Sequence, residues 1–143
     1  MKCDRFVFDT NVIISGFLFG GYPQRLINYA NQGIIRCFIS VPILEEVRGV
    51  LLRPKFNIST ELVFAFIEEL YELCEIVSVD THVDVVKADP DDNMILECAL
   101  AAGADIISSG DAHLLDIGCW RGIKILSPAD AVDLITNKRG CEN

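Results

Sequence analysis

The chain has 143 residues, 51% of them hydrophobic and 23% charged, which excludes a disordered polymer and supplies enough apolar side chain for one core. Its 21 acidic residues against 12 basic ones leave a net charge of −9, which excludes a protein that coats nucleic acid through a basic surface. No apolar run approaches the ~20 residues that span a bilayer, and Met1-Lys2-Cys3-Asp4-Arg5 does not read as a signal peptide, so a cytoplasmic location is expected.

Strand and helix signals alternate along the chain. Arg5–Asp9 reads as a buried strand, and Val12–Leu18 follows as a helix capped by Asp9, Thr10 or Asn11. Pro23–Gly33 carries Pro near its start and Gly at its end, the expected helix punctuation. Arg36–Ile39 is a second strand, Pro42–Leu52 a helix stopped before Pro54, and Ser59–Cys74 a long helix capped by Ser59 or Thr60. Glu75–Val79 is a strand and Pro90–Ala102 a helix closed by Gly103. Strands at Asp105–Ser108 and Ile123–Leu126 and a helix at Pro128–Ile135 complete the chain. Strands separated by helices predict βαβ units. The fold class expected is α/β, with a mainly parallel five-stranded sheet in a three-layer α/β/α arrangement and a single domain over residues 1–143.

Six cysteines (Cys3, Cys37, Cys74, Cys98, Cys119, Cys141) are scattered without a C-x-x-C pair, and the chain has two histidines. That argues against a disulfide framework or a zinc site. Cys37, Cys74 and Cys98 fall in apolar segments and read as small buried hydrophobes. Arg48, Arg53 and Lys55, with Arg121 and Lys124, allow at most a small basic rim.

The informative residues are carboxylates. Asp9 and Asp111 each leave a short apolar strand next to small polar residues, in Phe8-Asp9-Thr10-Asn11 and Ser108-Ser109-Gly110-Asp111. Ligands of open parallel sheets bind beyond the carboxyl ends of the strands. Two carboxylates brought there from opposite ends of the chain repel unless a cation or shared proton holds them. In the helix from Pro42, the apolar stripe is Ile43, Leu44, Val47, Val50 and Leu51. Glu45 projects about 160° from its centre, whereas Glu46 lies on its border and can reach the sheet edge. In Asp89-Pro90-Asp91-Asp92-Asn93, Asp89 reads as the cap and Asp91 as surface. Asp92 shares a face with Ile95, Leu96 and Ala99, the face that packs on the sheet. His113 reads as an exposed loop residue.

Four convergent acids suit Mg²⁺ or Mn²⁺, which prefer oxygen ligands. Two such ions about 3.5–4 Å apart activate a water and stabilise the leaving oxygen in phosphodiester hydrolysis. No Gly-rich phosphate loop is present, which argues against nucleotide triphosphate chemistry.

This set resembles the PIN domain family of metal-dependent nucleases. The likeness is carried by Phe8-Asp9-Thr10-Asn11-Val12, Leu44-Glu45-Glu46-Val47, Asp89-Pro90-Asp91-Asp92-Asn93 and Ser109-Gly110-Asp111, in the family's order over nearly the whole chain. Within the family it is most similar to toxins of toxin–antitoxin systems, the VapC-type ribonucleases. The resemblance implies Asp9, Glu46, Asp92 and Asp111 as a catalytic, metal-binding quartet, with Asn11 and Ser109 as polar supports and Asp116 as an occasional extra. It also implies Mg²⁺ or Mn²⁺ as cofactor, RNA as substrate, an antitoxin protein as partner and homodimerisation.

Two other classes compete. A PIN-like domain that binds metal without catalysis would keep all four acids. A receiver-type phosphoacceptor domain needs paired acids after its first strand and a Lys after its fifth; here a single Asp9 and Leu126-Ser127-Pro128 stand there. One apolar feature bears on association. In Ser59–Cys74 the core stripe is Val63, Phe66, Ile67, Leu70, Leu73 and Cys74, and Phe64 with Tyr71 lies on its flank. That second row is either an interface with another chain or is covered by Pro23–Gly33.

Overall fold

The computed structural model describes residues 4–84 and 90–141. Strand β1 (Arg5–Phe8) is followed by helices α1 (Thr10–Leu18) and α2 (Gly21–Asn31), strand β2 (Arg36–Ser40) and helix α3 (Val41–Leu51). A 3₁₀ turn at Pro54–Phe56 leads to α4 (Thr60–Leu73) and β3 (Cys74–Val77). Then come α5 (Pro90–Ala102), β4 (Ile106–Ser108), α6 (Ala112–Ile117), β5 (Cys119–Trp120), β6 (Ile123–Leu126) and α7 (Pro128–Cys141).

The strands form one sheet in the order β3-β2-β1-β4-β6-β5, parallel except for the β5–β6 pair. The register aligns Phe6 with Cys37 and with Ile106, which sets the ends of β1, β2 and β4 level. Successive side chains of a strand point to opposite faces. Phe6, Val7 and Phe8 are nevertheless all buried, so helices cover both faces of β1 in a three-layer α/β/α fold. Helix α5 lies across β1, β2, β3 and β4, while α7 packs on β6 and on α2.

The sheet has six strands rather than five. The additional β5 makes a two-residue hairpin with β6 through Arg121 and Gly122, both at positive φ (49° and 79°). That turn type matches the twist of the strands, and its usual Asn-Gly signature is absent here. Other elements also differ from expectation, among them β3, which runs from Cys74 to Val77 rather than from Glu75 to Val79. Helix α2 begins at Gly21, ahead of Pro23; α6 was not anticipated; and α7 continues past Ile135 to Cys141.

Arg5 locks the sheet to α5. Its Nε and Nη2 donate to the Ala102 carbonyl at 2.9 and 2.7 Å, satisfying an orphan carbonyl of the α5 C-terminus. The guanidinium also stacks 4.3 Å from the centre of the Phe38 ring. Asp9 leaves the far end of β1, and Asp92 sits in the opposite end turn of α5, so this tie holds together two elements that carry acids.

Cys37, Cys74 and Cys98 are buried and reduced. Cys37 and Cys74 face each other across β2 and β3, with the Cys74 thiol donating to Cys37 Sγ at 2.9 Å. Burial pushes the Cys37 thiol up and carries that of Cys98 to about 12, so these thiols stay protonated. No helix among the described residues is long and apolar enough to cross a membrane.

Candidate functional site

From β1 the chain moves outward through β2 to β3, then returns to the other side of β1 with β4. The strand order therefore reverses between β1 and β4. That crevice is where open α/β sheets place their ligands, and a carboxylate follows each strand there, Asp9 directly after β1 and Asp111 three residues beyond β4.

Asp9 is buried, with 5% of its surface exposed. Its Oδ1 accepts from the Val12 N–H at 2.8 Å and so caps α1. The cap is therefore Asp9 itself, not Thr10 or Asn11. Its Oδ2 accepts a hydrogen bond from the Ser109 hydroxyl. Burial raises the Asp9 carboxyl above its ordinary value of 3.8, and the Asp111 carboxylate adds to that rise; hydrogen bonds from Ser109, Val12 and Gly110 oppose it.

Asp111 caps α6 in the same manner. Its Oδ1 accepts from the N–H groups of His113 and Leu114, at 2.8 and 3.2 Å. Ser109, fully buried, joins the two acids: its Oγ donates to Asp9 and accepts from the Asp111 N–H at 2.9 Å. Asp9 and Ser109 lie 100 positions apart in sequence, so no local pattern encodes their contact.

Two helices bring the remaining acids. Ser40 caps α3, accepting from Ile43 N–H at 3.5 Å, and Ile43, Leu44, Val47 and Leu51 bury one face of that helix. This phase turns the half-buried Glu46 into the crevice, while Glu45 is exposed and faces a different groove. In α5, Ile95, Leu96 and Ala99 are buried and Asp92 is buried beside them, 7% exposed. Asp89 lies outside the described residues.

Asp9, Thr10, Asn11, Glu46, Asp91, Asp92, Ile95 and Asp111 line one cleft of about 70 Å³. That volume suits a few waters or hydrated ions and is too small for a drug-sized ligand. Asn11 is exposed at the cleft and its side chain forms no hydrogen bond among the described residues. Asp116 is exposed on α6 and does not line the cleft. His113 is exposed, in the first turn of α6 rather than in a loop. None of Arg48, Arg53, Lys55, Arg121 or Lys124 lines it either. Two polar lining residues were not anticipated. Asp91, read as surface, is exposed yet on the cleft wall, and Thr10 contributes beside Asp9.

The family of this fold follows from a comparison with known proteins. The PIN domain family matches residues 5–113, most of the chain and all of the acids that line the cleft. The chain belongs to the PIN domain family. Members of this family are generally nucleases. Among solved structures, the chain is similar to VapBC2 from Rickettsia felis bound to a DNA fragment from the promoter. The TM-score is 0.61 at 12% identity, over 85% of this chain and 96% of that one, a likeness of fold. No curated protein matches by sequence.

The PIN cleft offers only oxygen donors, the set that Mg²⁺ and Mn²⁺ prefer. Among the described residues, no three carboxylate, imidazole or thiolate groups are drawn together on one point. Mg²⁺ commonly keeps several waters and takes one or two carboxylates, so acids spaced around a small cleft fit such an ion.

Proposed function

We propose that this chain is a Mg²⁺- or Mn²⁺-dependent endoribonuclease and the toxin component of a toxin–antitoxin pair. One observation carries the reading: carboxylates from β1, α3, α5 and the exit of β4 line a single cleft at the point where strand order reverses. Asp9, Glu46, Asp92 and Asp111 would hold the cation or cations. When bound, the metal supplies an activated water and neutralises charge on the leaving oxygen. The protein's own groups fix the acids. Ser109 orients Asp9 and anchors the backbone of Asp111, and the helix dipoles of α1 and α6 steady both carboxylates. Asn11, exposed at the cleft, would be a polar support beside the acids.

Membership of the PIN family supports nuclease chemistry, and the likeness of fold to VapBC2 supports the toxin–antitoxin assignment, with an antitoxin protein as partner. The purified protein should cut single-stranded RNA, stop in EDTA and recover with added Mn²⁺. Cleavage that persists in chelator would sink the metal mechanism. Mn²⁺ binding without cleavage of any RNA would instead leave a metal-binding interaction domain.

Homodimerisation belongs to the same proposal. Phe64 and Tyr71 are each 56% exposed, so α2 does not cover them, and with Val41, Leu44, Glu45, Arg48 and Ile67 they line a groove between α3 and α4. Sedimentation should show a dimer that the Phe64→Glu, Tyr71→Glu double variant dissociates. Equal mass for both proteins would place the contact elsewhere.

A further inference from the structure

Thr10 is the first residue of α1 and stands next to Asp9 in the wall of the acidic cleft. It is 93% buried, yet its Oγ1 has no hydrogen-bond partner among the described residues. The hydroxyl is not a helix cap, because Asp9 already accepts from the Val12 N–H. It is not a link between acids, because Ser109 fills that place. Buried hydroxyl groups are nearly always paired, and an unpaired one destabilises a fold; valine would fill the same shape without that penalty. An orphan hydroxyl of this kind in the wall of a carboxylate cleft points to a partner that arrives with the cleft's occupant.

We propose that Thr10 is a binding residue for the hydrated divalent cation, its hydroxyl donating to an oxygen in the ion's coordination shell. Such outer contacts orient the ligands and raise affinity for the metal. The inference rests on the reading of the cleft as a cation site. Ser108 provides an internal control. Its hydroxyl is equally buried and equally without a partner, but Ser108 does not line the cleft.

The test uses the full-length protein and Mn²⁺ alone, with free Mn²⁺ followed by electron paramagnetic resonance and the metal-free melting temperature measured beside it. Thr10→Val should raise the metal-free melting temperature by about 3 °C. It should weaken Mn²⁺ binding by about 10–100-fold. Thr10→Ser, which keeps the hydroxyl, should bind within a few-fold of wild type. Ser108→Ala should leave Mn²⁺ affinity unchanged. Should valine not be accommodated, Thr10→Ala removes the same hydroxyl. Wild-type Mn²⁺ affinity in Thr10→Val, together with lost binding in Asp9→Asn, would overturn the role of Thr10 and leave the cation site standing. Unchanged binding in both variants would overturn the cation site itself, and the inference with it.

Discussion

The exits of β1 and β4 are built alike and behave differently. Each strand hands its chain to a helix through an Asp that serves as N-cap. At Asp9 both oxygens are engaged, one by the Val12 N–H and one by the Ser109 hydroxyl, and the group is buried. At Asp111 a single oxygen, Oδ1, accepts both cap bonds, and the side chain is half-buried. Its Oδ2 forms no hydrogen bond among the described residues. The contrast separates two ways of presenting a carboxylate. Asp9 is a carboxyl fixed in place at a cost in solvation, and Asp111 is a cap with one oxygen left over. Capping and participation in a site are not alternatives here; one side chain does both.

The largest expected effect comes from removing either charge while keeping the cap, since Asn caps a helix about as well as Asp. Asp9→Asn and Asp111→Asn should each abolish Mn²⁺-dependent RNA cleavage. The metal-free melting temperature of Asp9→Asn should equal or exceed that of wild type, because the variant removes a charge that burial disfavours and the Asp111 carboxylate repels. A grossly unfolded Asp9→Asn protein would show that Asp9 serves structure alone. The next effect compares neighbours on α3. Glu46→Gln should cost activity heavily while Glu45→Gln stays close to wild type, and equal losses would mean that only one of the two positions has been placed correctly in phase.

Ser109→Ala cuts the link between the two exits. It removes the donor to Asp9 and the acceptor of the Asp111 N–H together, so activity should fall by about 10–100-fold. Stability should fall by about 1–3 kcal/mol, as for other buried groups left unpaired. An alanine variant with full activity would show that the two acids are positioned independently.

The smallest effect is one of pH. The native fold holds the Asp9 proton more tightly than the unfolded chain, whose carboxyl titrates near its ordinary value of 3.8. The stabilisation from this group is therefore complete below that value and is lost as pH rises through the raised, native pKa. In metal-free buffer, wild type should lose melting temperature relative to Asp9→Asn as pH climbs from about 4 toward neutrality. A constant difference between the two proteins over that range would contradict a raised carboxyl.

The central elements were legible because their signals are local. Phe6-Val7-Phe8 and Ile106-Ile107 are short apolar runs, and the stripes of α3 and α5 turn Glu46 and Asp92 toward the sheet. Less local features escaped. Helix α6 spans only six residues and takes its start from Asp111, and β5 exists through a hairpin whose Arg121 adopts a positive φ without a turn signature. Asp91 and Thr10 sit on the cleft wall through the packing of α5 and α1 against the sheet end, which no spacing within either segment encodes. The link from Ser109 to Asp9 arises only once β1 and β4 pair.

The crowding of acids at the strand reversal also bears on how long the protein lasts. On the metal reading, the cation binds the folded chain and not the unfolded one, so its concentration enters the folding equilibrium directly. A cell short of divalent metal would hold more of this chain unfolded, where proteases act on it. Supply of the ion would then set the abundance of the protein as well as its activity, and pulse-chase turnover under metal limitation would read that dependence from outside the site.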